Sequence, residues 1–192
     1  SDDLLFCATT GNIPIFKIDI KNNSCDSITD LTDTLPPNMY GMEKLNSREM
    51  LGGLLSNGFS KFNIETGQFV RGPGVMHKSD SIRYNTVYDI LKDSRGRIWL
   101  ATRYFRLAEY LPAEDRIVTF NADSFNPYGF DGNAALCVYE DRQHNIWVGT
   151  SLKGVYRFNP DDNAIKFHAA QERGSVFSLS NWDNNTLFIG SE

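Results

Sequence analysis

The sequence lacks the features that mark several common protein classes. It has three cysteines among 192 residues, Cys7, Cys25 and Cys137, with no Cys-x-x-Cys spacing, which excludes a disulfide framework. No apolar run approaches the roughly 18 residues that a membrane helix needs, so we expect no direct membrane insertion. Lys and Arg number 19 against 24 Asp and Glu, a net charge of −5. That weakly acidic balance predicts no nucleic acid partner.

Helical periodicity and ligand-type spacing are also absent. No stretch of about ten or more residues has apolar side chains at the roughly 3.6-residue period of a helix, so the chain is predicted to be all-β. The histidines, His77, His144 and His168, lie far apart in the sequence without the spacing of a metal site. We therefore expect neither a metal ion nor a cofactor.

What the sequence does contain is an internal repeat. Ile98-Trp99-Leu100-Ala101-Thr102 and Ile146-Trp147-Val148-Gly149-Thr150 lie 48 residues apart, and the residues on both sides keep the same register. Three further copies are Leu5-Phe6-Cys7-Ala8-Thr9, Met50-Leu51-Gly52-Gly53-Leu54 and Leu187-Phe188-Ile189-Gly190-Ser191. The second residue of each copy is large and the fourth is small. Repeats of this length indicate a solenoid, a propeller or an array.

Each unit is predicted to contain four short strands, a to d, with turns such as Asp93-Ser94-Arg95-Gly96 between them. The b strands, which contain the pentapeptide, are apolar on both faces, as expected for a sheet packed between two other layers. Four-stranded antiparallel sheets stacked at this repeat length are β-propeller blades. We expect each indole to fill space beside a small residue of a neighbouring blade. The predicted core residues are Trp99, Ala101, Trp147, Gly149 and Phe188.

The units divide the chain, taken as one propeller segment, into three complete blades between two partial ones. The predicted ranges are 1–36, partial blade 1; 37–84, blade 2; 85–132, blade 3; 133–173, blade 4; and 174–192, partial blade 5. The pieces either close a small ring of about four blades or form an arc cut from a larger propeller. We favour the arc, which would expose an apolar blade face at each end and predicts an oligomeric or aggregation-prone chain.

The repeat is recognisable in two units. Residues 87–102, with Asp93, Gly96 and the Trp99 pentapeptide, strongly resemble the two-component regulator propeller repeat, and residues 140–160 are the closest match to it. The resemblance implies a periplasmic sensor region of a sensor histidine kinase, often a hybrid one, of the Bacteroidetes type, which commonly detects oligosaccharides. No segment resembles a kinase, so the resemblance implies a piece of the sensor anchored elsewhere in the inner membrane.

Ligands of propellers usually bind where the b–c and d–a connections emerge around the central channel. In this sequence those connections combine aromatic, Arg and Asn residues, which suit a sugar, and Arg also suits an acidic sugar. The candidate ligand-binding residues are Arg83, Arg103, Tyr104, Arg106, Tyr128, Asp131 and Lys153. Alternatively, these aromatic side chains only cap sheet edges.

Two other functions remain open. A propeller glycosidase or lyase would need paired carboxylates on the inner strands, and Asp89 is the single one there, with Met42, Cys137 and Ser178 at the comparable positions. We therefore expect no catalysis by this chain. A purely structural arc would pair sensor subunits, its partners being the remaining blades of the parent protein or a second copy of the chain.

Overall fold

The structure, a computed structural model, describes residues 4–8, 15–27, 38–72, 85–120, 134–161, 164–168, 174–183 and 186–191. Every regular element in these ranges is a β-strand. The strands are β1 (Leu4–Ala8), β2 (Ile15–Asp19), β3 (Ser24–Ser27), β4 (Met39–Lys44), β5 (Glu49–Leu54), β6 (Gly58–Asn63), β7 (Phe69–Arg71), β8 (Val87–Lys92), β9 (Ile98–Thr102), β10 (Arg106–Leu111), β11 (Arg116–Thr119), β12 (Ala135–Glu140), β13 (Ile146–Thr150), β14 (Gly154–Asn159), β15 (Ala164–His168), β16 (Val176–Asn181) and β17 (Leu187–Ser191).

The strands form five antiparallel sheets in which each strand pairs with its neighbours in the chain. The orders are β1-β2-β3, β4-β5-β6-β7, β8-β9-β10-β11, β12-β13-β14-β15 and β16-β17. We call these sheets blades 1 to 5. The predicted all-β fold of stacked four-stranded blades is confirmed, and the chain forms part of a β-propeller. The predicted blade boundaries lie at or beside residues outside the described ranges and stay predictions.

In blades 3 and 4 the turn between the first two strands begins at an aspartate, Asp93 or Asp141. In blade 3 the amide of Gly96 donates to the Asp93 carbonyl at 2.9 Å, and Gly96 has a φ of +84°, which glycine adopts at little cost. In blade 4 His144 stands at the same position with a φ of +62°, and its amide donates to the Asp141 carbonyl at 2.9 Å. The turn therefore forms without glycine.

Adjacent blades meet at their first strands and at the small residue of the pentapeptide. β8 packs against β4 on one side and β12 on the other, while β12 also packs against β16. A side chain at Gly149 would lie 2.6 Å from Cγ1 of Val176 in the next blade, and one at Gly53 would collide with the carbonyl oxygen of Val87. The small residue thus makes room for the first strand of the next blade, so the blades stack closely.

This packing differs from the predicted one, in which each indole filled space beside a small residue. The Trp99 ring packs instead against Phe120 and against Phe158 of blade 4, at centroid distances of 5.6 and 5.5 Å. Its Nε1 donates to the Asp93 carboxylate at 3.0 Å. Trp99 is 1% exposed and Ala101 is fully buried.

Two of the predicted core residues are not buried in this structure. Trp147 is half-buried, and its Nε1 donates to Asp141 at 2.7 Å. Phe188 is 55% exposed and contacts the ring of Trp182. Trp99 is covered by Phe158 from the third strand of the next blade, whereas blade 5, in which two strands are described, places no third described strand over Trp147. Gly149, in contrast, lies buried under Val176.

Candidate functional site

One edge of the sheets brings together the turns between second and third strands and the beginnings of the first strands. The amide of Gly58 in blade 2 donates to the Asn85 carbonyl at 2.7 Å, and that of Arg103 donates to Thr86 at 3.0 Å. In blade 4 the Ser151 amide donates to the Ala134 carbonyl at 2.9 Å. We call this surface the upper edge. It includes parts of blades 2, 3 and 4, and most of the connections between the fourth strand of one blade and the first strand of the next lie outside the described residues.

Among the described residues of the upper edge, the most exposed aromatic side chain lies in the turn of blade 3. Tyr104 is 60% exposed, and the guanidinium of Arg103 lies 5.3 Å from the centre of its ring. The backbone beneath is fixed, because the Tyr104 amide donates to Oδ1 of Asn85 at 3.1 Å and the Phe105 amide donates to Thr102 at 3.0 Å. An exposed ring and a cation are thus presented together on a rigid turn.

The same turn ends in an unusual backbone conformation. Arg106 has a φ of +57°, whereas glycine occupies the equivalent positions in the other complete blades, Gly58 at +72° and Gly154 at +79°. A non-glycine residue in the left-handed region costs free energy, and such residues concentrate at functional sites. The Arg106 side chain is half-buried. Aligning the repeats would have shown this exchange of glycine for arginine in the sequence.

The remaining predicted ligand-binding residues are only partly described. Lys153 lies exposed in the corresponding turn of blade 4, beside Leu152, which is 59% exposed. Arg83, Tyr128 and Asp131 lie outside the described residues. The structure therefore places Arg103, Tyr104, Arg106 and Lys153 on the upper edge, and it does not bear on whether the other three share that surface.

A second feature, a bulge repeated in the first strands, was missed in the sequence. In blades 3, 4 and 5 the register between the first and second strands shifts by one residue near the start of the first strand. The shifts lie between Val87 and Asp89, between Ala135 and Cys137, and between Val176 and Ser178. A shift also occurs between Met39 and Met42 in blade 2. The extra residues include Tyr40, Tyr88, Leu136 and Phe177. Tyr40 and Tyr88 form an edge-to-face pair at 5.5 Å, so large apolar side chains recur along the inner strands.

Asp89, the carboxylate predicted on the inner strands, joins three blades. Its Oδ2 accepts from the Val138 amide of blade 4 at 3.0 Å, and its Oδ1 accepts from the Ile90 amide at 2.9 Å. A side chain at Gly41 of blade 2 would lie 2.6 Å from its Cα. Burial, with Glu43 as a smaller cause, raises the pKa of Asp89 to about 6 despite these hydrogen bonds. The prediction that Met42 is its counterpart was wrong: Met42 pairs with Gly52 as Ile90 pairs with Leu100, so the position equivalent to Asp89 is Gly41, 48 residues earlier.

The opposite edge contains charged and polar contacts between blades. The Ser94 hydroxyl of blade 3 donates to Glu140 of blade 4 at 2.6 Å, and Nδ1 of His144 lies 2.9 Å from that hydroxyl and 3.0 Å from Glu140. One imidazole nitrogen makes both contacts, so this cluster lacks the relay geometry of a catalytic triad. In the described residues, no group of three or more His, Cys, Asp or Glu side chains is placed to hold a metal ion.

Comparison with known families agrees with this geometry. Residues 81–104, which include β8 and β9, and residues 129–151, which include β12 and β13, match the family model of the two component regulator propeller. These two segments are two component regulator propeller repeats. No curated protein matches the chain.

Solved structures similar to these regulator propeller repeats include two from B. thetaiotaomicron. They are the extracellular domains of BT4673 and BT3049, both named as hybrid two component systems. The BT4673 domain has a TM-score of 0.76 and 17% sequence identity, and the match covers 98% of this chain and 25% of that one. The BT3049 domain has a TM-score of 0.73 and 17% identity, and the match covers 99% of this chain and 24% of that one. The WD40 propeller domain of Doa1 is similar as well (TM-score 0.73, 9% identity, 100% and 58%). At these identities the likeness shows the fold. The chain spans about a quarter of the length of the first two.

We also searched the described residues for a helix that could cross a membrane. Within the part of the chain that the structure describes, we find no helical segment with the length and hydropathy of a membrane span.

Proposed function

We propose that this chain is an extracytoplasmic, periplasmic sensor segment of a two-component signalling protein, and that it contributes to recognition of an oligosaccharide on its upper edge. The signal then passes to a histidine kinase that this chain does not contain. The family match and the neighbours named as extracellular domains of two component systems support the sensor assignment. The observation that carries the ligand proposal is the exposed pair of Tyr104 and Arg103 on a fixed turn.

The chemistry of this pair fits a sugar better than an apolar ligand. The face of a pyranose ring has C–H groups that stack on an aromatic ring, while its hydroxyls accept hydrogen bonds from a guanidinium. Arg103 has five N–H donors in a planar fork, which also suits the carboxylate or sulfate of an acidic sugar. The left-handed Arg106 at the end of the turn adds a second guanidinium to the same loop.

The inner strands favour binding over hydrolysis. A glycosidase needs two carboxyl groups about 5–10 Å apart beside the substrate. Asp89 is half-buried and its two oxygens accept from backbone amides of two blades, so its position serves the packing of the blades. The proposed function is therefore recognition without turnover.

The test is calorimetric titration of the chain with a panel of neutral and acidic oligosaccharides, first screened on a glycan array. We expect Tyr104→Ala and Arg103→Ala each to weaken binding at least about tenfold, as loss of a central stacking or charged contact does. The matched controls lie away from the upper edge: Trp182→Ala removes an aromatic ring that is 73% exposed, and Arg48→Ala removes an exposed guanidinium that contacts Glu65. Both controls should bind like the parent chain.

Two results would contradict the proposal. Equal losses in the control variants would mean that the upper edge is not the binding surface. Release of shortened sugars during the titration, detected by mass spectrometry, would instead favour a propeller enzyme.

A further inference from the structure

The turns between second and third strands place an exposed residue at the same position of the upper edge in each complete blade. These residues, 48 positions apart, are Ser56 in blade 2, Tyr104 in blade 3 and Leu152 in blade 4. Two of them are large, Tyr104 being 60% exposed and Leu152 59% exposed. Leu152 is not among the predicted ligand-binding residues. The upper edge thus presents an aliphatic side chain one blade away from the aromatic one.

Leu152 has a backbone conformation that is unfavourable for leucine. Its φ is +75°, in the left-handed region where a bulky side chain meets a steric penalty. The equivalent Ser56 has a φ of +54°, so the turn adopts this conformation in blade 2 with a smaller and polar residue. Residues held in such conformations concentrate at functional sites. Leu152 therefore combines a strained backbone with an apolar side chain in water, and neither feature stabilises the fold.

The backbone on both sides of Leu152 is held by hydrogen bonds. The Ser151 amide donates to the Ala134 carbonyl at 2.9 Å, and the Thr150 hydroxyl donates to the Gly154 carbonyl at 2.8 Å. Thr150 and Gly154 are both buried. The exposed leucine therefore lies on a fixed turn, as Tyr104 does in blade 3, and a ligand would meet it already in place.

The apolar surface that Leu152 exposes is small. Its neighbours in the turn, Ser151 and Lys153, are polar, and Lys153 is exposed. A standard protein interface buries roughly 800 Å² on each partner, far more than one leucine offers. A single aliphatic side chain instead matches a group as small as a methyl, whose transfer out of water is favourable. The size of this contact thus favours a small-molecule substituent over a protein partner.

We propose that Leu152 is a specificity-determining residue of the upper edge, where it contacts the methyl group of an acetamido or 6-deoxy sugar in the bound oligosaccharide. This inference rests on the proposed function. Packed sheets lie about 10 Å apart, so Tyr104 and Leu152 contact different sugar units of one chain. Tyr104 stacks on a ring face that every pyranose offers. Leucine has no hydrogen-bonding group, so it selects the unit that carries a methyl.

Calorimetric titration with matched pairs of sugars tests this selectivity. One pair is chitotetraose and cellotetraose, which differ by the acetamido groups. The other is 2′-fucosyllactose and its L-galactose analogue, in which a CH₂OH group replaces the methyl. We expect the methyl-bearing member of one pair to bind roughly fourfold or more tightly than its partner, the factor that corresponds to burying one CH₂ group. The pair that shows the preference identifies the source of the methyl.

Leu152→Ser is the decisive variant, because it introduces the residue that blade 2 has at this position. It should abolish the preference within the pair and leave the midpoint of urea unfolding unchanged or higher. Tyr104→Ala is the matched control and should weaken both members of the pair by the same factor.

The contradicting results separate this inference from the proposed function. A preference that survives in Leu152→Ser, or equal binding of both members that Tyr104→Ala weakens, would overturn the inference and leave the proposed function standing. A lower urea midpoint in Leu152→Ser would assign the leucine to the fold instead. Absence of binding to both pairs would overturn the inference too, and the glycan array then decides whether the proposed function falls with it.

Discussion

Blades 3 and 4 are the two best copies of the repeat, and their tryptophans have different surroundings. Trp99 and Trp147 occupy the same position, donate to the equivalent aspartates Asp93 and Asp141, and lie near the cations of Arg97 and Arg157. Trp99 is nevertheless 1% exposed, while Trp147 is half-buried. The repeat thus determines the local geometry of the indole, and the neighbouring blade determines its burial.

The largest expected effect tests this difference between the two indoles directly. Trp99→Ala should lower the free energy of unfolding by about 3–5 kcal/mol, because it leaves a cavity between blades 3 and 4. Trp147→Ala should cost about 1–2 kcal/mol, since a half-exposed ring returns less apolar surface to water. Equilibrium unfolding in urea measures both values. Equal losses for the two variants would show that the indole acts through its own blade alone.

The second prediction compares Asp89 of blade 3 with Cys137 at the same position of blade 4. Burial raises the pKa of Asp89 to about 6 and that of Cys137 to about 12. The folded chain then binds the Asp89 proton more tightly than the unfolded chain does. Its contribution to stability is fully present below about pH 4 and is lost as the pH rises through about 6, at most about 3 kcal/mol in all.

Urea unfolding between pH 4 and 7 should therefore show a fall in stability that Asp89→Asn removes. Cys137→Ser is the control, because its thiol stays protonated throughout this range, and its profile should parallel that of the parent chain. Removing the nearby charge with Glu43→Gln should move the midpoint of the fall to a lower pH. An unchanged profile in Asp89→Asn would assign the pH dependence to another group.

The comparison also shows what the sequence could and could not reveal. The Trp99 and Trp147 pentapeptides predicted the strands and the stacking, because burial on both faces and a 48-residue period have few structural solutions. The arc predicted an exposed apolar face at each end, but Phe188 and Trp147, which lie in the last two blades, were still predicted as core residues, because the pentapeptide pattern does not show which neighbouring strands cover them. Gly41 was predictable, since the 48-residue period puts it at the position of Asp89, whereas the bulges in the first strands leave no mark on the apolar pattern.

The site was predictable to a similar degree. The exposed position of Arg103 and Tyr104 was predictable because turns between strands present polar and aromatic residues at an edge, and their role in ligand binding stays a prediction. Arg106 was named as a candidate, but its backbone strain was missed, although aligning it with Gly58 and Gly154 shows arginine at a position where the other complete blades have glycine. Asp93 and Asp141 were predicted only as residues that form turns. Their hydrogen bonds with Trp99 and Trp147 were not predicted, because these bonds depend on how the second strand folds back over the turn.

The third prediction concerns those aspartates. Although burial opposes ionisation, hydrogen bonds from Trp99 and Arg97 lower the pKa of Asp93, and those from Trp147 and Asn145 lower the pKa of Asp141. A lowered pKa stabilises the fold above the unfolded value and loses this effect as the pH falls through the folded value. Asp93→Ala should cost about 1–3 kcal/mol near pH 7, because it leaves the Trp99 indole N–H and Arg97 without their partner. The cost should shrink below about pH 4.

Asp141→Ala is the matched variant for this measurement. Its indole partner is half-buried and reaches water more easily, so the loss in urea unfolding should be smaller than for Asp93→Ala. A larger loss at Asp141 would mean that the turn, which in blade 4 contains His144 in the left-handed conformation, depends more on the aspartate than on the buried indole.

The smallest expected effect is a gain of stability at the upper edge. Arg106→Gly should stabilise the chain by about 1 kcal/mol, because glycine adopts a φ of +57° without the steric cost that arginine incurs. The reciprocal variant, Gly154→Arg in blade 4, should destabilise by a similar amount. If Arg106 is retained for recognition, Arg106→Gly should weaken oligosaccharide binding while raising the urea midpoint, and Gly154→Arg should lower the midpoint without improving binding. A strained residue whose removal stabilised the fold and left binding unchanged would belong to the turn and not to the site.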